Sequence, residues 1–426
     1  MPSAGLSAFG DMAPLTRDAR LLFATRFIRL FAYGSLSVVL VFYLIGVGLS
    51  EQQTGLLLTF TLLGDAAVSL FMSTRADAFG RRRMLIVGAC LMAGAGLVFV
   101  AAHAWWLLAV AATIGVISPS GQEVGPFLSI EQAALTAAAR DRDRTEVLAW
   151  YTLTGTIATA LGALAAGILT RALQLEGLAS PMGSYRVVVV LYAFCGASLV
   201  VVFACLSSDA ESGPKRNDER GERSARARVT GLKDSRGIVF RLSALFALDA
   251  FGGGFVAQSV AAYWFHLRFG ADPGVLGPIF FLANLLAGAS ALVASRLAAR
   301  VGLIRTMVWT HLPSNVLLIL IPLMPTMSLA VVVLLVRFSI SQMDVPARQS
   351  YVLAVVRPDE RSAAGGITGV ARKIGAAASP VFVGVLFAVP ALIDWPFFIA
   401  GTLKAVYDLA LYKGFVSAGE PNPLEP

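Results

Sequence analysis

The sequence predicts an all-α membrane protein of twelve transmembrane helices, arranged as two six-helix, pseudo-symmetric halves. Three observations predict it. Of the 426 residues, 57% are hydrophobic and only 14% are charged, whereas a soluble domain carries about 25% charged residues. The mean hydropathy is +0.74. The apolar residues fall into twelve runs, each near or above the roughly 20 residues a helix needs to cross a bilayer. Polar landmarks of the first half also return in the second at a nearly constant offset, as from Gly34 to Gly252 and from Gly80 to Gly302. Helices are the expected element, because a helix in hydrocarbon pairs its own backbone groups.

The runs lie near 21–46, 54–74, 84–102, 105–139, 147–169 and 185–206 in the first half, and near 238–267, 275–297, 303–321, 327–355, 363–389 and 395–415 in the second. The fourth and tenth are long for one crossing, which implies tilt or a projecting end. In the fourth, Pro119, Gly121, Gly125 and Pro126 favour a bend. Basic residues set the orientation. Arg75 and Arg81–Arg83 follow span two, Arg140, Arg142 and Arg144 follow span four, Arg296, Arg300 and Arg305 surround the turn after span eight, and Arg357 and Arg361 follow span ten. The opposite loops hold only scattered bases such as Arg171, Arg186 and Arg268. Both termini are therefore expected in the cytoplasm of a multi-pass protein of a bacterial-type inner membrane. The segment up to Arg20 is a polar tail rather than a cleaved signal. The expected organisation is an N-terminal half (1–206), a polar, base-rich cytoplasmic linker (207–237) and a C-terminal half (238–426).

Several classes are excluded. The net charge of +8 reflects bases collected in cytoplasmic loops, and no basic face interleaved with exposed aromatics suggests nucleic acid. Cys90, Cys195 and Cys205 all sit in apolar runs, with no metal-site or disulfide spacing. No Gly-x-Ser-x-Gly or His-Glu-x-x-His motif occurs, and His103, His266 and His311 are far apart. No Gly-Lys dipeptide exists to build a phosphate loop. No enzymatic activity, metal or cofactor is expected, and the energy source is expected to be an ion gradient. A repeat with scattered internal charges fits alternating access better than a continuous pore.

Ionisable side chains within spans are costly and point to function. Span one carries Arg26, Arg29 and Tyr33 on one helix face. Span two carries Asp65, span four Glu123 and Glu131, and span seven Asp249 beside Gly252. In span ten, Arg337, Ser341, Asp344, Arg348 and Tyr351 form a polar stripe if the helix is continuous. Span eleven adds Thr368, Arg372 and Ser379, with Lys373 adjacent. The stretch 120–124 resembles 341–345, and the longer distance onward to Glu131 than to Arg348 reads as an extra helical turn in span four. Glu131 falls opposite Arg348, and Gly167 opposite Gly384.

Asp77, Gly80, Arg81, Arg82 and Arg83 lie in a tight loop between spans two and three. With the span count, linker and repeat, this loop resembles the major facilitator superfamily of solute transporters. Ser73, Arg75 and Ala78 depart from the family pattern, which places a glycine, an apolar residue and a basic residue there. The resemblance implies a substrate site near the midplane, lined by spans one, four, seven and ten. It also implies a gate at Asp77, Gly80, Arg81 and Arg83, with the aspartate facing the N-terminal end of span eleven. The antiporter pattern of span five and the sugar-porter signatures are absent, so no subfamily is assigned.

The expected function is secondary active transport of a small organic solute, proton-coupled and monomeric. The alternatives are an uncoupled facilitator, an exporter of drug-like compounds, or a non-transporting sensor. Arginine binds carboxylate or phosphate bidentately, so Arg29, Arg348 and Arg372, with Tyr33 and Tyr351, are the substrate-binding candidates. A buried carboxylate can exchange protons near neutral pH, so Glu123, Asp249 and Asp344 are the proton-coupling candidates. Arg26, Asp65 and Glu131 are expected in interhelical charge pairs.

Overall fold

The computed structural model describes residues 16–138, 144–207, 232, 235–358 and 360–415. Every regular element among them is helical. The first half contains α1 (Arg17–Gly46), α2 (Glu51–Phe79), α3 (Arg81–Ala101), α4 (Trp105–Ile114), α5 (Phe127–Ala138), α6 (Arg144–Leu175) and α7 (Pro181–Ala204). The second contains α8 (Arg236–Gly254), α9 (Gln258–Phe269), α10 (Pro273–Val301), α11 (Leu303–Leu320), α12 (Met327–Phe338), α13 (Asp344–Ala354), α14 (Arg361–Ala378), α15 (Pro380–Phe387) and α16 (Trp395–Phe415). Most of the expected linker, and Arg140 and Arg142, lie outside the described residues.

Nine segments among the described residues are long and apolar enough to cross a bilayer, with α8–α9 and α14–α15 each counted as one. The broken pairs α4–α5 and α12–α13, together with α16, complete twelve crossings. The outer face is apolar: Leu97, Phe194 and Trp309 are 63%, 67% and 69% exposed. Exposing such side chains to water costs about 1.5–3 kcal/mol each, a cost that lipid removes. The protein is an integral, multi-pass membrane protein.

Helix starts follow local chemistry. Thr16 and Ser180 accept from the backbone amides of Ala19 and Gly183, and Ser50 forms a reciprocal capping box with Gln53. Gly80 and Gly302 join α2 to α3 and α10 to α11 at φ 95° and 90°, a region that favours glycine. The recurring glycine landmark of the sequence is thus the same sharp turn made twice.

Two sequence expectations are corrected. Span four does not gain a helical turn: residues 115–126 between α4 and α5 are non-helical, against only 339–343 between α12 and α13. Pro119 and Pro126 lack amide donors, and Gly121 and Gly125 take φ of 70° and 82°, so the extra residues unwind instead of coiling. The polar stripe of span ten is likewise not continuous, because Ser341 lies in the break that separates Arg337 on α12 from Asp344, Arg348 and Tyr351 on α13.

Unwound backbone at membrane depth survives only when protein satisfies it. In span four the Ser118 hydroxyl donates to the Gln122 carbonyl at 2.7 Å, and the Thr159 hydroxyl to the Gly121 carbonyl at 3.3 Å. The Ser259 amide, from the other half, donates to the Pro119 carbonyl at 3.1 Å. The Gly125 amide donates to Asp65.

The halves meet along α6–α10, α2–α15, α2–α14 and α1–α9. Toward the end of the bundle opposite the start of α1 and the end of α16, two crossings are glycine on glycine. A Cβ on Gly55 would lie 2.8 Å from the Gly384 Cα, and one on Gly167 would lie 2.8 Å from the Gly277 Cα. Gly55 and Gly277 occupy matching places in spans two and eight, as do Gly167 and Gly384 in spans five and eleven. Small residues let helix backbones approach where no hydrophobic force drives them together.

Candidate functional site

Two charge networks lie inside the bundle. In the first half, α1 presents Arg26 and Arg29 one turn apart toward Glu123 in the unwound stretch and Glu131 on α5. Arg29 donates through Nη1 and Nη2 to the two oxygens of Glu131 at 2.9 and 2.6 Å, and through Nε to Glu123 at 2.9 Å. Arg26 pairs with the other oxygen of Glu123. Glu131 also accepts from Thr25 at 2.8 Å and from Tyr151. The Arg29 guanidinium lies 4.5 Å from the centre of the Phe127 ring. Two guanidinium and two carboxylate groups balance, which is what a low-dielectric interior requires.

In the second half, Asp249 on α8 receives Lys404 at 2.6 Å, Arg372 at 3.1 Å and Arg348 at 3.3 Å. Arg348 also pairs with Asp344 one turn away at 2.8 Å. His311 stands between two acids, with Nδ1 at 2.8 Å from Asp408 and Nε2 at 3.7 Å from Asp249. Asn315 donates to the second oxygen of Asp408 at 2.8 Å. A third pair spans the halves: Lys373 on α14 reaches Asp65 on α2 at 3.0 Å.

A cavity of about 350 Å³ separates the networks; its walls include Arg26, Glu123, Gln132, Asn284, Gln342 and Gln349. It runs from mid-depth toward the end where α1 begins and α16 finishes, and where α5 and α13 bring Gln132 and Gln349. A second cavity, of about 190 Å³, shares Gln122, Asn284 and Gln342 with the first and reaches Arg337 and Lys404. Beyond it the glycine crossings close the bundle. In the wall of this second cavity Gln258 donates to Ser37 at 2.7 Å, and Asn284 donates to Gln258 at 3.0 Å.

The sequence candidates are distributed unevenly over this geometry. Arg29, Tyr33, Arg348, Tyr351 and Arg372 do not line either cavity. Arg29 is fully enclosed by its two glutamates. Tyr33 is buried against Tyr192, with ring centres 6.5 Å apart. Tyr351 packs edge-on to Phe415. Among the coupling candidates, Glu123 lines the larger cavity, while Asp249 and Asp344 are buried in their ion pairs. Arg26, Asp65 and Glu131 stand in interhelical ion pairs, and Arg26 also forms part of the cavity wall.

Of the gate residues, Gly80 makes the sharp turn into α3, where Arg81 and Arg83 lie in the first turn. Asp77 is in the last turn of α2, and its side chain lies outside the described residues.

Sequence reasoning did not select Lys404, His311, Asn315, Asp408 or Arg337 as site residues. A signal was present for all five: Arg337 stands in the polar stripe of span ten. Lys404 and Asp408 are spaced i, i+4 within an apolar run, and so are His311 and Asn315, so each pair shares a helix face.

The family model described as Major Facilitator Superfamily matches residues 22–380. An uncharacterized membrane protein of Saccharomyces cerevisiae is 32% identical over 394 residues, covering 87% of this chain and 88% of the yeast protein. Among solved structures, a mutant of the nucleoside transporter NupG is similar with a TM-score of 0.72 at 14% identity, over 93% of this chain and 99% of that one. A bacterial homolog of the human lysosomal transporter Spinster, inward-facing and unoccupied, gives 0.71 at 15% identity, over 95% and 98%. A D-xylose-proton symporter gives 0.69 at 13% identity, over 93% and 97%. At these identities the structural likeness speaks to the fold alone.

Proposed function

This chain belongs to the major facilitator superfamily, and from that premise we propose that it carries a small organic solute across its membrane by proton-coupled alternating access. The observation that carries the reading is a polar, mid-depth cavity walled by both halves and closed at one end only. Such a cavity suits a carrier whose halves rock about a fixed site. The rocking units are residues 1–206 and 238–426, joined by the linker at 207–237. With both termini cytoplasmic, this conformation faces inward.

Glu123 is the carboxylate best placed for coupling. Its side chain is 11% exposed and lines the larger cavity. It holds Arg26 and Arg29 together. Protonating it frees Arg26 toward the cavity and leaves Arg29 held by Glu131. Asp249, by contrast, lines neither cavity and is held by three cations. The arginines of both networks then exchange partners as the halves move, which is the role kept for Arg29, Arg348 and Arg372.

Reconstituted protein tests the reading. Solute uptake into proteoliposomes should saturate, rise with an imposed pH gradient, and lose that dependence in Glu123→Gln. Saturable flux indifferent to the gradient removes the coupling; no saturable flux for any ligand that binds removes the carrier. The gate is tested separately, since Asp77→Asn should slow turnover without impairing insertion.

A further inference from the structure

We infer that Arg337 is the anchor for an oxyanion on the solute. This rests on the carrier reading above and names the substrate class of its site.

Arg337 occupies the last turn of α12 and lines the smaller cavity. Its guanidinium lies 5.2 Å from the centre of the Phe338 ring. Its Nε–H is buried without a hydrogen-bond partner, and it stands in no ion pair among the described residues. The other basic side chains of the networks are all paired: Arg26 and Arg29 with the glutamates, Arg348, Arg372 and Lys404 with Asp249, and Lys373 with Asp65. Such a cation at mid-depth in a membrane protein is costly unless a partner arrives.

The balance of charge points the same way. Around the second network Arg337, Arg348, Arg372 and Lys404 stand with only three carboxylates, Asp249, Asp344 and Asp408, and His311 adds no negative charge. The first half balances internally. An anionic group on the solute offsets this excess of cations.

The walls define the rest of the ligand. No Asp or Glu lines the smaller cavity, while Arg337 and Lys404 both do. Gln122, Gln258, Asn284 and Gln342 supply neutral amides, and Phe280, Phe338 and Phe397 supply an apolar surface. A guanidinium offers two parallel N–H donors to a carboxylate or a phosphate. About 190 Å³ suits a compact organic acid. Rotating Arg337 toward such a group would give its orphaned Nε–H an acceptor.

The test is ligand-induced thermal stabilisation of the purified full chain in detergent. The probes are benzoate and phenyl phosphate, each against benzamide and benzyl alcohol at matched ionic strength. The expected result is a saturable rise in melting temperature with at least one anion and none with the neutral compounds. Arg337→Gln should weaken the apparent affinity about tenfold to a hundredfold, and Arg337→Lys should keep part of it. The two anions separate carboxylate from phosphate selectivity. Three outcomes overturn the inference: no anion shifts the wild type, the neutral probes shift it equally, or an anion shifts folded Arg337→Gln as much as the wild type. A neutral probe that stabilises both proteins alike would overturn the anion anchor and leave the carrier reading standing, since that reading is tested by flux.

Discussion

Adding one methyl group at the closed end of the bundle should open it. A Cβ on Gly55 would lie 2.4 Å from the Pro380 carbonyl oxygen and 2.8 Å from the Gly384 Cα and amide nitrogen. One on Gly384 would lie 2.5 Å from the Glu51 carbonyl oxygen and 3.0 Å from the Gly55 Cα. The obstructing atoms are backbone, so no side chain can swing away, and α2 and α15 must separate by about 1 Å to reach ordinary contact distance. Overpacking of this kind costs about 1–3 kcal/mol. In a state where the two helices have parted, the methyl costs nothing. Gly384→Ala should therefore shift the equilibrium away from the closed end by about fivefold to a hundredfold. The assay is maleimide labelling of Val41→Cys, at a position 4% exposed beneath this crossing, with Cys90, Cys195 and Cys205 replaced by serine. The labelling rate should rise in Gly384→Ala and rise again in the double variant with Gly55→Ala. Gly277→Ala, at the matching crossing, should act in the same direction. An unchanged labelling rate in a protein that melts normally would refute the idea that these crossings set the closed state.

Further outcomes follow from the charge networks. Glu131→Gln should destabilise the fold by about 3–5 kcal/mol, since it strips the charge that holds buried Arg29; a double-mutant cycle with Arg29→Gln, read by denaturant unfolding, should show coupling well beyond about 0.5 kcal/mol, and additivity would refute it. Asp249→Asn should impair folding and flux more than Lys404→Met, because the first leaves Arg372 and Lys404 without their carboxylate and the second leaves Asp249 two arginines; equal effects in melting and flux measurements would contradict this. Lys373→Gln should cost under about 1 kcal/mol, since the Lys373 side chain is 38% exposed. Asp65→Ala should cost about 1–3 kcal/mol more, by removing the acceptor of the Gly125 amide, and thermal melts separate the two.

The fold was legible because its cause is written locally. Apolar runs, basic loops and the Gly80–Gly302 turn depend on residues near each other in the chain. The site was legible only in part. A charge inside a span announces itself, so Arg26, Arg29, Glu131 and Asp249 could be selected without coordinates. Which of them lines water could not be read, because enclosure depends on partners from distant helices: Arg29 vanishes behind Glu123 while Arg26, three residues away, reaches the cavity. The unwinding of 115–126 escaped for a similar reason. Two prolines and two glycines announce a bend, but an open stretch of that length is stable only because Asp65, Thr159 and Ser259 meet its backbone. Lys404 and Asp408 were legible and were passed over in a run that reads as a simple final span.

The partnership of α1 with Glu123 and Glu131 bears on how the protein is made. Arg26 and Arg29 lie 94 to 102 residues ahead of the carboxylates that neutralise them. At about 5–20 residues per second, a ribosome needs roughly five to twenty seconds to supply those acids. During that interval the first segment carries two uncompensated guanidinium groups, each costing about 2.5–3.5 kcal/mol at the centre of a bilayer. Resting alone in lipid is therefore disfavoured for the first helix when it emerges. Shelter by the insertion machinery, or at the interface, lowers that cost until the fourth crossing arrives, so assembly of this half is completed by its later helices.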